Sequence, residues 1–415
     1  MIQRLSGVLI ALTLLSPAAR AADTGTKESA AKGATAKEVN AQKAVPRTTA
    51  TSVPIPSASP VAWTAEAAPY HGSRDNITWG GEGELRFGYD VTAGVSDPSW
   101  FSVGRVNGFM EAKLSSRLRL RGQASYDHVP DDFTLERAEL QATFGRTHEA
   151  HAGIFLVPLG RTNLSHDAAA YEFWERSLVA TQILGVPNAQ LGVGMSGTGS
   201  WSHTTPFRYE VDLVTGFDDG VIMDASGGTR IPAGRNNYGD QNGLPAAVAR
   251  FAIQPGRGEV GVAIQSGPYN QTHIAGGEVD GIRFVHVLAA DGIAHAIGLE
   301  LATEAAAALI DIPPGLEGLY AERQWGASLE ATRTLRAPLF HAWRGTSLSG
   351  GLRAETVDLD AGLPGDSRTR VAASLNLRPQ PTSIVRFGWY YEWKRDRFDN
   401  LTPLAGLTLT AASYF

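Results

Sequence analysis

Three arginines at alternate positions, Arg117, Arg119 and Arg121, are followed at the same spacing by Gln123 and Ser125 and interleave with Leu118, Leu120, Gly122, Ala124 and Tyr126. A period of two belongs to a β-strand, whose successive side chains point to opposite faces, so the three guanidinium groups form a ladder on one face. Facing water, such a ladder attracts anions. Facing lipid near a bilayer midplane, each arginine would cost about 2–4 kcal/mol. The same parity in other segments turns Arg86, Arg137, Arg208, Arg250, Arg353, Arg370, Arg378, Arg386 and Lys394 to this face, together with Glu84, Asp90, Glu111, Glu139, Glu210, Asp212, Glu259, Glu355 and Glu392. Two readings fit that mixture: a wall of fixed positive charge that favours anions, or a charge-balanced wall paired across strands, with the 117–121 ladder alone left unbalanced.

Other residue types that do chemistry are arranged less productively. Ser165, His166 and Asp167 are adjacent, whereas a nucleophilic triad needs side chains converging from separate positions. Gly192-Val193-Gly194-Met195-Ser196-Gly197 spells the dinucleotide fingerprint, yet no helical pattern follows it and its odd positions continue a strand. His148 and His151 are three apart on an expected strand, hence on opposite faces, and do not jointly hold a metal. No catalytic, metal or cofactor site is expected from these residues. The chain has no cysteine, so neither disulfides nor thiol chemistry is available to it.

The elements that would carry the charged face are strands. With 46 Gly, 22 Pro and 43% apolar residues, the composition favours strands and turns. No later stretch approaches the roughly 18 consecutive apolar residues of a membrane-crossing helix. Alternating segments fall near 83–92, 106–114, 117–127, 135–144, 148–157, 188–197, 206–216, 246–254, 257–266, 280–288, 294–304, 318–333, 345–358, 368–378, 382–394 and 406–415. One face of these segments is charged and the other greasy. A soluble sandwich would bury one face and leave the charged rows of all its segments to be solvated. A closed barrel in a membrane places lipid outside and water inside, and it satisfies its backbone internally. The expected fold is therefore an all-β, transmembrane antiparallel β-barrel of sixteen strands over 77–415, with fourteen or eighteen as alternatives because the tenth and twelfth segments alternate poorly.

Joins of alternating length agree. Short ones at Ser115-Ser116, Gly145-Arg146-Thr147, Pro255-Gly256 and Pro379-Gln380-Pro381 read as periplasmic turns. Long ones at 158–187, 217–245, 267–279, 305–315 and 395–405 read as extracellular loops. The loop 158–187 carries Arg161, His166, Asp167, Glu172, Glu175 and Arg176 among aromatic residues. It is too long and too apolar for a mere connection. We expect it to fold into the lumen and narrow it; a surface loop or a latch between subunits is the alternative.

The two ends of the chain agree with export to a membrane. Trp389, Tyr391 and Trp393 share the greasy face of the fifteenth segment as an interfacial girdle, and the last segment closes on an aromatic residue, Phe415, in the manner of clients of the barrel-assembly machinery. Arg4, the apolar run Leu9–Leu15 and Ala19-Arg20-Ala21 read as a secretory signal peptide over 1–21. Its removal takes the formal charge from −6 to −8, which argues against nucleic acid as a partner. Residues 22–76, rich in Ala, Thr, Ser, Lys and Pro, read as a disordered periplasmic leader. A segment there that touches peptidoglycan is one option.

The run Ala152 to Asn163 (Ala-Gly-Ile-Phe-Leu-Val-Pro-Leu-Gly-Arg-Thr-Asn), with Phe173-Trp174-Glu175-Arg176-Ser177 and Gly192-Val193-Gly194 behind it, resembles the phosphate-selective porin O and P family of Gram-negative outer membranes. The match covers about 45 residues; the remainder shares only the alternating pattern. Beyond Arg117, Arg119 and Arg121, the family's basic ladder finds no residue-by-residue counterpart. The resemblance implies a sixteen-stranded passive channel for small hydrophilic solutes or phosphate-like anions, trimeric, set among outer-membrane lipid and lipopolysaccharide, and not an enzyme. A non-conducting structural or adhesin barrel and an outer-membrane hydrolase are the competing classes.

Overall fold

The computed structural model of the chain describes residues 72–127, 132–202, 205–222, 228–235, 237–240, 242–340 and 345–415. The expected signal peptide and most of the expected leader lie outside these residues. Sixteen long strands form one antiparallel sheet: β1 Ile77–Thr92, β2 Trp100–Lys113, β3 Leu118–Asp127, β4 Asp132–Phe144, β5 His148–Leu156, β6 Ala189–Ser202, β7 Thr205–Val214, β8 Ala246–Ile253, β9 Gly258–Pro268, β10 Phe284–Ala296, β11 Leu299–Ile310, β12 Arg323–Arg336, β13 Ser347–Asp358, β14 Ser367–Gln380, β15 Ser383–Arg395 and β16 Leu401–Tyr414. Each strand pairs with its successor, and β16 returns to β1 in a register running from Glu82↔Tyr414 to Thr92↔Leu404. Phe415 completes the seam by exchanging both backbone hydrogen bonds with Gly81, at 2.8 and 2.9 Å. The sheet is therefore a closed barrel without a free edge.

The alternation of the sequence becomes the two faces of this wall. Leu85, Phe87 and Tyr89 on β1, Val260, Val262 and Ile264 on β9, and Leu407 and Leu409 on β16 are exposed on the outside, while Glu82 and Glu84 on the inside of β1 are fully buried. Burying a large apolar side chain is worth about 1.5–3 kcal/mol, and a whole band of them turned outward has its partner in lipid. Exposed aromatics collect toward strand ends, among them Trp79, Phe101, Phe133, Phe144, Trp325, Trp393 and Phe415. Among the described residues no helix is long and apolar enough to cross a membrane; the chain crosses with strands.

Several boundaries differ from those read in the sequence. Gly72–Arg74, inside the expected leader, pairs with Ile77–Trp79. The tenth to twelfth strands start about five residues later than expected, because the Ala305–Ala308 stretch of β11 offers small side chains on both faces and no contrast to phase it. The expected long join at 305–315 accordingly falls partly inside β11, and the connection lies at 311–322. The loop expected at 395–405 shrinks to 396–400 because β16 begins at Leu401. Connections after odd-numbered strands form one rim, where the longest, 157–188 and 215–245, lie. Those after even-numbered strands are short, except 337–346.

The interior is not polar throughout, and this corrects the expectation of a charged inner wall. Toward the long-loop rim, the inner faces of β8–β13 present Val248, Ala263, Val285, Val287, Ala289, Ala306, Ala308, Ile310 and Val357. On them pack Leu178, Val179, Ile183 and Leu184 of the 157–188 connection, with Phe217, Val221 and Ile231 of the 215–245 connection. A hydrophobic core thus sits inside the barrel and fixes the long connections within it.

Candidate functional site

The connection between β5 and β6 crosses the lumen, and it does so because the inner wall offers partners to its backbone. It starts with one turn of α-helix, Arg161–Leu164. There the Thr162 amide and hydroxyl donate to Glu304 of β11 at 3.0 and 2.6 Å. Farther on, the Ala169 amide donates to Glu82 of β1 at 2.6 Å. Arg386 of β15 donates to the carbonyls of Ala168 and Tyr171 at 2.6 and 2.9 Å. Arg353 of β13 donates to the Glu175 carbonyl at 2.9 Å, and the Leu178 amide donates to Glu355 of the same strand at 2.6 Å. A segment that touches β1, β11, β13 and β15 by its own backbone lies across the barrel. Its aromatic residues stack on the same cations, with the Arg353 guanidinium 4.6 Å from the Phe173 ring centre and that of Arg386 5.1 Å from Tyr171.

Side chains of the loop strengthen this anchoring. Glu172 accepts from Arg378 at 2.7 Å, from Asn376 at 2.7 Å and from Ser349 at 2.7 Å. Burial alone would raise the pKa of that carboxyl, but Arg378 and the three donors outweigh it and hold the group below the ordinary glutamate value of 4.5. Glu175 pairs with Arg370. His166 reaches Glu136 of β4 through Nε2 at 2.7 Å and the Asn163 carbonyl through Nδ1 at 3.1 Å. Asp167 accepts from the Tyr414 hydroxyl at 3.2 Å. His166 and Asp167 are therefore turned to the wall and to β16, and neither is directed at Ser165. Every member of the expected constriction set is on this crossing segment; the structure spreads them over its length.

The arginines expected along the pore are mostly on inner faces, and most are paired. Arg86 lies 2.6 Å from Glu84, Arg119 2.7 Å from Glu149, Arg121 3.1 Å from Glu111, Arg208 3.4 Å from Glu210 and Arg250 2.5 Å from Asp291. Arg353 and Arg370 share Glu355 at 3.2 and 2.5 Å. The ladder on β3 needs correction: the strand begins at Leu118, so Arg117 stands exposed in the preceding turn, and the other two rungs have carboxylate partners. Cross-strand pairing neutralises them because β2 and β5 bring acids to the same levels. Three other luminal arginines lack such a partner. Arg137 and Arg161 make no hydrogen bond or ion pair with the described residues, and Arg176 donates only to the His166 carbonyl, at 3.1 Å. Nothing in the strand period distinguishes Arg137 from the paired arginines, and Arg161 and Arg176 lie on the crossing segment, outside any strand.

Two spaces flank the crossing segment. One, of about 90 Å³, lies between it and β11–β13, lined by Arg161, Arg176, Glu172, Glu300, Glu304 and Glu330. The other, of about 50 Å³, lies against β3–β7, lined by Arg121, Arg137, Glu139, His151, Arg208 and Glu210. At the edge of the second, His151 of β5 meets the buried Asp212 of β7 at 3.0 Å over the intervening β6, a grouping absent from the expected sites. Its sequence signal is Gly194, the middle glycine of the fingerprint-like run: a Cβ there would stand 1.8 Å from Asp212 Oδ1 and 2.5 Å from His151 Nε2. On the outer face, Trp389 and Trp393 are exposed, Tyr391 is half-buried and Phe415 is exposed.

No family model matches the sequence, and no curated protein matches it. Solved structures do share the fold. An anion-selective porin from Comamonas acidovorans is similar with a TM-score of 0.52 at 11% identity, covering 82% of this chain and 99% of that one. The outer membrane channel DcaP of Acinetobacter baumannii gives 0.51 at 12%, covering 83% and 99%. OmpT, an outer membrane protein of Vibrio cholerae, in its trimer form gives 0.50 at 11%, covering 82% and 100%. At such identities the likeness is one of architecture: a closed sixteen-stranded antiparallel barrel of the outer-membrane type.

Proposed function

We propose that this chain is an outer-membrane diffusion channel that passes small hydrophilic solutes without chemical turnover. The observation that carries this reading is the β5–β6 connection crossing a charged lumen on backbone hydrogen bonds to five strands, β1, β11, β13, β14 and β15. Such an arrangement narrows the lumen, packing its Leu178–Leu184 part on the apolar wall and leaving spaces lined by charged side chains on both sides of the Arg161–Arg176 part. The shared architecture with two proteins described as an anion-selective porin and an outer membrane channel supports the same class. In this reading the long-loop rim faces outward from the cell, the girdle aromatics sit at the membrane interfaces, and the carboxy-terminal Phe415 serves barrel assembly. Three copies form the working unit, by analogy of fold with the trimeric OmpT form.

Selectivity for anions, phosphate-like ones included, would rest on Arg137, Arg161 and Arg176. The paired arginines contribute little net field. The resemblance of Ala152–Asn163 to the phosphate-selective family falls on the end of β5 and the entry to the crossing segment, and it includes Arg161.

Purified protein in planar bilayers tests the function. Stepwise currents are expected, and replacing Glu172 and Glu175 together with alanine should enlarge the steps, since each anchor withdrawn costs the loop about 1–3 kcal/mol. A folded protein that gives no current steps would assign the barrel to a structural role. Steps of unchanged size in the double variant would show that the crossing segment is not the constriction.

A further inference from the structure

His151, Glu210 and Asp212 stand together on the inner wall although they come from strands that do not pair with each other. β6 lies between β5 and β7, and its Gly194 is in register with both His151 and Asp212. Because that position has no side chain, the imidazole and the carboxylate pass over the middle strand and meet with Nε2 3.0 Å from Oδ1. Glu210, two residues from Asp212 and so on the same face, brings a carboxylate oxygen into a group whose members all lie within 4.8 Å of one another. The Asp212 side chain is fully buried, and its Oδ2 has no hydrogen-bond partner. A buried carboxylate oxygen left without a donor is costly unless something positive completes it. The Phe155 ring packs edge-to-face with the imidazole, ring centres 4.4 Å apart, and holds the histidine in this orientation.

We infer that His151, Glu210 and Asp212 form a site for a single divalent transition-metal ion on the channel wall. Two ligands of one zinc ion at about 2.0–2.2 Å each stand roughly as far apart as His151 Nε2 and Asp212 Oδ1 do, so a small rotation of both side chains that replaces their mutual hydrogen bond by the ion completes the pair. Glu210 supplies the third ligand by turning its carboxylate, one oxygen of which lies 3.4 Å from Arg208. The adjoining space of about 50 Å³ leaves room for water in the remaining positions, at a share of about 30 Å³ per molecule. One imidazole and two carboxylates suit zinc or its first-row neighbours, whereas magnesium and calcium prefer oxygen ligands throughout. The site does not depend on the barrel being a conductor.

Zinc titrated into the folded, detergent-solubilised chain by calorimetry tests this. One ion per chain is expected, undiminished by excess magnesium. Affinity should fall tenfold or more in H151Q and in D212N and stay unchanged in H148Q, which removes a histidine on the outer side of the same strand. Folding of each variant is read from the mobility of the unheated protein on gels; in the wild-type chain, zinc should also protect His151 from carbethoxylation, mapped by mass spectrometry. The inference is overturned if the wild-type chain shows no stoichiometric site, if folded H151Q or D212N binds as wild type does, or if zinc leaves His151 as reactive as before. Zinc binding that succeeds while bilayer currents fail would sink the channel reading alone.

Discussion

Arg386 Nη2 stands 3.1 Å from Glu84 Oε1 with both side chains fully buried, which ties β15 to β1 across the last strand, β16. Thr410 of β16, in register with Arg386 on one side and Arg86 on the other, accepts a hydrogen bond from Arg386 Nε at 2.8 Å. The same guanidinium holds the carbonyls of Ala168 and Tyr171. One side chain thus serves both the barrel seam and the segment that crosses the lumen.

Arg386→Met should therefore destabilise the barrel by about 3–5 kcal/mol, the cost of leaving one member of a buried pair uncompensated. Unfolding in denaturant, followed by the loss of fast mobility in unheated samples, measures it. A variant whose midpoint matches the wild type would show that the seam does not depend on this residue.

Acid should release the crossing segment, and the direction follows from Glu172. Its folded-state pKa is depressed, mainly by Arg378 against the opposing effect of burial. A carboxyl with a depressed folded value stabilises fully above its unfolded value of 4.5 and loses that contribution as pH falls through the lower, folded value. Conductance should hold steady down to that ordinary value and change only below it. The Glu172→Gln variant should lack this acid transition; if it keeps the wild-type profile, another group controls the segment.

Charge selectivity should follow the unpaired arginines. Replacing Arg137, Arg161 and Arg176 with glutamine should move the reversal potential in a salt gradient toward cations, because three positive charges leave the lumen while its carboxylates stay. Arg117→Gln, in an exposed turn, should leave it unchanged. The opposite result would return selectivity to the ladder at the start of β3.

The sequence by itself determined that there is a barrel and which way its charged rows face, and it pointed to sixteen strands while leaving fourteen or eighteen open; closure of the seam settled the number. A strand period of two needs no knowledge of neighbours, and rows such as Leu85-Phe87-Tyr89 against Glu84-Arg86 carry their own orientation. It faltered in β11, where alanines on both faces erase the phase. It also marked the 158–187 segment as exceptional, since a run so rich in aromatics and charges has no place in a plain connection. The tertiary structure decided what each charge does. Arg121 and Arg137 look alike in the chain, yet register brings Glu111 to one and no acid to the other. The apolar lining near the long-loop rim was hidden because Val285 and Val287 are as greasy as any lipid-facing row, and only the packed loops show which side they serve. His151 and Asp212 lie 61 positions apart, and a missing side chain at Gly194 is what lets them meet; that relation exists only once three strands lie side by side.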